Sequence, residues 1–298
     1  MLYPRLIEKI NKIHIRTNFL VNGTFAGEYK AALKGRGLEF ETLRRYQAGD
    51  DVRTMDWNVT ARAGEPFVRE YREERELTVM LLVDRSGSND FGTRGCCKRE
   101  LGAEAAAIIA AAAIKSGDRV GLLLFSDVVE KYLPPQRGWS QVWTVLSEIL
   151  THKTRHRKTS LSVALEYLMK VQRRRVVCFL LSDFIDKDYE KTLSTAGRRH
   201  EVVCMLLSDR AEIEMPPLGM VAFRDAETGK EIYVNTSTKN FERKFNLLSG
   251  YCTKEIINKF RSSRLDFVQL KTDGQIVEPL IRYFRRRERH LAHSRPSF

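Results

Sequence analysis

The chain lacks a C-x-x-C cysteine pair, a glycine-rich phosphate loop and an apolar run long enough to span a bilayer, and each absence removes a class of function. Its five cysteines, Cys96, Cys97, Cys178, Cys204 and Cys252, are odd in number. That argues against a disulfide framework and for a reducing compartment. Cys178 and Cys204 lie inside apolar runs, where a free thiol behaves as a small hydrophobe. The most apolar stretch, Leu101 to Ile114, is alanine-rich, interrupted by Glu104 and too short for a transmembrane helix. The first residues, MLYPRLIEKINKI, carry no apolar core followed by a small-residue cleavage site, so a cytoplasmic location without a membrane span is expected. No G-x-x-x-x-G-K-S/T loop is present, so ATP hydrolysis is not expected of this chain. Ser86 has no glycine two residues before it, which excludes a G-x-S-x-G nucleophile elbow.

What is abundant is positive charge. Fifty-one Lys and Arg stand against 38 Asp and Glu, a formal net charge of +13 over 298 residues. Much of the excess is local, in Arg155 to Lys158, Arg173 to Arg175 and the stretch Arg282 to Arg295. Such runs are ordinarily solvated helix faces. A nucleic-acid-binding reading rests on them alone, because no aromatic-interleaved basic motif of the RNA-binding kind accompanies them.

Hydrophobic spacing gives the organisation. Leu6, Ile7, Ile10, Ile13 and Phe19 suit an amphipathic helix over Pro4 to Val21. Gly23 to Glu76 mixes turn signals with short alternating runs and reads as a β-rich lead-in, so residues 1–76 form an N-terminal helix and lead-in and 77–298 the main domain. From Leu77 onward, strand-like runs appear at Leu77–Asp84, Arg119–Phe125, Val128–Leu133, Arg175–Ser182, Glu201–Leu207 and Asp266–Leu270. Helical segments alternate with them at Lys98–Lys115, Trp139–Leu150, Leu161–Gln172, Asp188–Arg198 and Phe241–Arg261. Alternation of this kind predicts a doubly wound α/β fold, a mostly parallel sheet of about six strands covered on both faces. The link between Arg119–Phe125 and Val128–Leu133 is too tight for a crossover helix, which predicts one antiparallel edge strand. Val221–Asn235 reads as a β-hairpin insert and Gln275–Arg287 as a last amphipathic helix.

The stretch Leu77 to Ser88, LTVMLLVDRSGS, carries the chemistry. An apolar strand delivers Asp84, and the hydroxyls of Ser86 and Ser88 follow at the second and fourth positions, at the strand end where open α/β sheets bind ligands. A carboxylate and two hydroxyls are oxygen donors suited to a hard cation such as Mg²⁺. Two later sites complete the set. Thr159 stands before the helix Leu161–Gln172, and Asp183 ends the strand Arg175–Ser182. Singly, Thr159 reads as a helix cap and Asp183 as a turn residue or cap. Jointly, Asp84, Ser86, Ser88, Thr159 and Asp183 read as a metal site.

The segment DRSGS, with Thr159 in KTSLSVAL and Asp183 in LLSDF, resembles the metal-ion-dependent adhesion site of von Willebrand factor A domains. Further blocks extend the resemblance, among them GLEFETLRRYQAGDDVRTMDWNVTARAGEPFVREYREERELTVMLLVD, GDRVGLLLF and LPPQRG. These are similar to the bacterial family catalogued as domain of unknown function 58, over about Gly27 to Phe284. The resemblance implies a von Willebrand factor A-like domain preceded by a β-rich segment. It implies Mg²⁺, with Mn²⁺ or Ca²⁺ as alternatives, and a partnership with a MoxR-type AAA+ ATPase in a chaperone-like role. Asn89 stands where many relatives carry Met, a difference expected not to affect coordination. The chain is therefore expected to be a metal-dependent protein-interaction module and not an enzyme. A Mg²⁺-dependent phosphoester hydrolase remains the alternative. Its acid–base candidates would be His152 and His156, which read more simply as solvated loop residues.

Overall fold

A computed structural model describes residues 10–13, 16–17, 21, 25–34, 42–50, 52, 55–70, 76–93, 96–154, 156–225 and 229–293. At its centre lies a six-stranded sheet of β3 (Thr78–Asp84), β4 (Arg119–Phe125), β5 (Val129–Gln136), β6 (Val177–Ser182), β7 (Glu201–Ser208) and β10 (Asp266–Lys271). They run in the order β10-β7-β6-β3-β4-β5. All neighbours pair in parallel except β4 and β5, so the antiparallel strand expected from the short link is the edge strand β5.

Continuous apolar runs form these strands because both faces are buried. Val79, Leu81 and Val83 point to one core with Phe179, Leu181, Val203, Met205 and Leu207. Met80 and Leu82 point to the other with Cys178, Leu180, Cys204 and Leu206. The first face is covered by α3 (Lys98–Lys115), α4 (Trp139–Thr151) and α9 (Val277–His293), the second by α5 (Leu161–Val171), α6 (Glu190–Arg199) and the end of α8 (Lys239–Ser262). In α3 every residue from Ala105 to Ala113 is fully buried, and the small side chains let it lie close against the sheet. The hairpin of β8 (Met220–Arg224) and β9 (Glu231–Asn235) forms a separate two-stranded sheet, as its alternation predicted.

The segment expected to be β-rich also carries helices among its described residues. It holds α1 (Ala26–Lys34) and α2 (Trp57–Ala63) beside one antiparallel pair, β1 (Thr42–Arg45) with β2 (Phe67–Glu70). The reason is tertiary. Phe25 and Tyr29 meet the Phe284 ring of α9 edge-on, with centroids 5.5 and 5.7 Å apart. The Tyr29 hydroxyl donates to buried Asp118 (3.1 Å), which also accepts from Leu77 N (3.0 Å). Residues 10–13 and 16–17 are helical, and most of the rest of the Pro4–Val21 helix lies outside the described residues.

One buried group sets a pH limit. His200 closes α6, is wholly buried and has neither ring nitrogen hydrogen-bonded among the described residues. Burial, then the nearby charges of Arg199 and Arg175, hold its pKa below the usual 6.5, so the folded state keeps the ring neutral. The unfolded chain takes up that proton first, so this stability is complete above about pH 6.5 and is lost as pH falls through the folded-state value. Unfolding in urea from pH 7.5 to 5 should show His200→Leu losing less stability than the wild type; equal slopes would remove His200 from the account. Leu81→Ala, at a fully buried central position, is expected to cost about 2–5 kcal/mol in the same assay.

Candidate functional site

Three neighbouring parallel strands end at or just before an acid. Register aligns Val83 with Leu181 and Leu181 with Met205, so Asp84, closing β3, and Asp183 and Asp209, following β6 and β7, lie at the same end of the sheet. The chain leaves β3 toward β4 on one side and later builds β6 on the other, which opens the switch-point crevice of doubly wound sheets between β3 and β6.

Asp84 is almost wholly buried. One oxygen accepts from Ser86 N (2.8 Å), the other from the Ser182 hydroxyl (2.6 Å). Burial, and then the opposing charge of Asp183, push its pKa up to about 6. A carboxylate so placed favours a cation beside it. Ser86 opens a 3₁₀ turn, Gly87–Asp90. The Ser86 and Ser88 hydroxyls lie 3.1 Å apart, and Asn89 Nδ2 donates to Ser86 Oγ (3.2 Å). Asn89 is fully buried, and its side-chain carbonyl oxygen has no hydrogen-bond partner among the described residues. An orphaned amide acceptor on the same turn as two hydroxyls, with the Asp84 carboxylate at the strand end before them, makes an all-oxygen donor set, which suits Mg²⁺ or Ca²⁺ better than softer ions. Among the described residues no group of three or more His, Cys, Asp or Glu could hold a metal, so any ion here depends on hydroxyl and amide oxygens.

Asp183 is committed elsewhere. One of its oxygens accepts from Ile185 N (3.2 Å) and the other from Lys98 Nζ (2.8 Å). Lys98, the first residue of α3, is wholly buried. Its ammonium also reaches Glu212 (2.6 Å) on α7 (Arg210–Ile213). Burial alone would lower the Lys98 pKa, but the charges of Asp183 and Glu212 outweigh it and the net shift is upward. Glu212 in turn accepts from Asp209 N (2.9 Å). Asp209 accepts from Thr93 N and Oγ1, from Ala211 N and from the Thr272 hydroxyl.

Thr159 lies in the loop before α5, half-buried, with no side-chain hydrogen bond to the other four candidates among the described residues. Its loop is tied to the site through the backbone, by Gly87 N to Arg157 O (2.9 Å) and Ser160 N to Ser126 O (2.9 Å). Ser160 occupies the cap position of α5 without a side-chain bond. Instead Asp186, arriving from beyond β6, accepts from Leu161 N (2.7 Å). His152 and His156 face Glu130 (3.4 Å) and Asp127 (3.3 Å), around the β4–β5 turn.

Four of the five expected residues, Asp84, Ser86, Ser88 and Asp183, thus lie at one end of the sheet, the first three after β3 and the last after β6. Sequence reasoning missed Lys98, Glu212, Asp209 and Asp186, and expected Asn89 not to affect coordination. Lys98 did leave a trace, since a lysine at the start of a helix opposes the helix dipole and needs a carboxylate to hold it there.

The sequence profile of DUF58, described as a protein of unknown function, matches residues 42–249. An uncharacterized protein of Mycobacterium bovis is 30% identical over 291 residues, spanning 96% of this chain and 91% of that protein. One from Mycobacterium tuberculosis matches to the same extent. Among solved structures, the conserved hypothetical protein BatB from Bacteroides thetaiotaomicron is 12% identical, covers 72% of this chain and 99% of its own, and superposes with a TM-score of 0.48. An aerotolerance-related membrane protein from Bacteroides fragilis, also 12% identical, covers 70% and 99% with a TM-score of 0.45. In this chain no helix among the described residues is long and apolar enough to cross a membrane.

Because Asp186 caps α5, Asp186→Ala should lower stability by about 1 kcal/mol in urea unfolding, whereas Thr159→Ala should leave it nearly unchanged. The reverse ranking would return the capping role to Thr159.

Proposed function

The chain belongs to the DUF58 family, and on that premise we propose that the carboxyl end of its sheet is a metal-dependent docking site for a carboxylate of a protein partner. The observation that carries this reading is the gathering of Asp84, Ser86, Ser88 and Asp183 at one end of the sheet, with a buried Asn89 oxygen, unpartnered among the described residues, on the same turn as the serines. Hydroxyls and carboxylates at a strand end are the donor set of the adhesion-type site that DRSGS resembles, and the parallel sheet is compatible with a von Willebrand factor A-like domain. Ser86, Ser88 and Asp84 would hold the ion, with Thr159 and Asp183 completing its surroundings. When bound, Mg²⁺ supplies a Lewis-acidic position that keeps exchangeable water, and a Glu or Asp of the partner takes that place. Mn²⁺ or Ca²⁺ fit the same oxygens.

The residues of this chain shape the contact. Backbone bonds from Arg85 N to Phe125 O (2.7 Å) and from Gly87 N to Arg157 O hold the serine loop before any ion arrives. Ser182 and Ser86 fix both oxygens of Asp84. A site held this way loses little freedom on binding, and its charge gives selectivity more than strength. The partner most consistent with the family resemblance is a MoxR-type AAA+ ATPase in the cytoplasm, which would supply the nucleotide hydrolysis that this chain has no phosphate loop to perform.

Asp84→Asn keeps the shape and removes the charge. Calorimetric titration should show Mg²⁺ binding weakened about tenfold or more, with an unchanged or higher melting temperature because repulsion from Asp183 is relieved. Capture of a purified MoxR-type ATPase should need Mg²⁺, fail in EDTA and fail with Asp84→Asn. Metal binding that survives the substitution, or capture indifferent to EDTA, would overturn the docking model.

A further inference from the structure

The wholly buried Lys98 ammonium lies 2.8 Å from Asp183, the site's second carboxylate. We propose that Lys98 is a positioning residue that withholds Asp183 from the metal and so keeps the bound ion under-neutralised for the partner's carboxylate. This rests on the docking reading above and deepens it.

Charge at the strand ends supports the proposal. Asp84, Asp183, Asp209 and Glu212 bring four negative charges, and Lys98 and Arg85 bring two positive ones. Asp90 and Arg99 nearby pair with each other (2.6 Å) and leave that balance unchanged. Within it, Asp183 is the carboxylate already spent, with both oxygens taken, one by Ile185 N and the other by Lys98 Nζ. Among the described residues Asp84 is bonded to neutral groups, Ser86 and the Ser182 hydroxyl. The two acids therefore differ in kind. Asp84 keeps its full charge for an ion, and Asp183 has most of its charge cancelled at 2.8 Å. An ion held by one effective carboxylate and neutral oxygens retains net positive charge, which an incoming carboxylate then neutralises.

Placing Lys98 there is costly, so its position is enforced. It begins α3, where the helix dipole disfavours a cation, and it has no exposure to water. The turn that delivers it is tight. Lys98 N donates to Phe91 O (2.9 Å), and a Cβ on Gly92 would collide with the Cys96 carbonyl oxygen. Glu212 holds the ammonium from the far side (2.6 Å), and Glu212 is itself fixed through its bond from Asp209 N.

A purely structural staple and a charge-withholding residue make opposite predictions for Lys98→Met, which keeps the length of the side chain and removes the charge. Calorimetry with Mn²⁺ alone should show the variant binding the ion about tenfold or more tightly than the wild type, because Asp183 becomes available. Anisotropy with a labelled Glu-rich peptide, at saturating Mn²⁺, should show the loaded variant binding the peptide correspondingly less tightly. A staple would lower the melting temperature and leave both affinities unchanged, and that result would overturn the proposal. If the single variant does not fold, Lys98→Met with Glu212→Gln removes the ammonium together with the far-side carboxylate it would leave unpaired. That double variant should likewise bind Mn²⁺ about tenfold more tightly than the wild type, and an unchanged affinity would overturn the proposal. Failure of the wild type to bind Mn²⁺ at all would defeat the docking reading itself. Binding by the wild type with no gain in Lys98→Met would defeat only the role of Lys98.

Discussion

Burying three aspartates at one end of an otherwise apolar sheet is the constraint around which this molecule is organised. Asp84, Asp183 and Asp209 each have at most 3% of their surface exposed. A carboxylate removed from water must find hydrogen bonds or a counter-charge close by. Each of the three solves this differently. Asp209 collects hydroxyl and amide donors, which outweigh burial and lower its pKa. Asp183 takes an ammonium. Asp84 takes only neutral donors and remains shifted up to about 6. Thr93, Lys98 and the short helix Arg210 to Ile213 supply several of those partners. The opposite end of the sheet is held by ordinary ion pairs, such as Arg287 with Glu201 (2.5 Å) and Asp266 (3.2 Å).

The sheet was legible because its physics is local. Strands buried on both faces must be uniformly apolar, and the runs at Leu77–Asp84, Arg119–Phe125 and Glu201–Leu207 each fall within one residue of the observed strand at either end. The helix Lys98–Lys115 coincides with the observed one because Ser116-Gly117 can end it and a long alanine run can sustain it. The lead-in was misread where the deciding contacts are distant. Nothing between Ala26 and Lys34 announces that Tyr29 will bond Asp118, 89 residues away. The site divides along the same line. Asp84, Ser86 and Ser88 lie within five residues of one another and could be read together. Lys98 to Glu212 spans 114 residues, and no spacing rule links them.

Helices α1 and α9 meet on the face of the sheet away from α5 and α6. Phe25, Tyr29 and Ala32 join the same apolar cluster as Tyr283 and Phe284, and Arg287 donates to Ala32 O (2.9 Å). Helix α9 thus spends its apolar side on the core and on α1, while Arg282, Arg285 and Arg286 of its outer side are more than half exposed and pair with Glu278, Glu28 and Asp266. Part of the basic tail is therefore matched by local acids, which tempers a reading of it as a polyanion surface.

The alanine helix has a consequence for how this sequence can vary. From Ala105 to Ala113 each residue is packed on every side, so the segment selects by size before it selects by polarity. A methylene added anywhere along it must displace the sheet, α1 or α4, and a shift of the helix along its axis would carry Lys98 with it. Drift in a run of small, chemically dull residues would thus be felt first as a change of charge geometry at the far end of the helix.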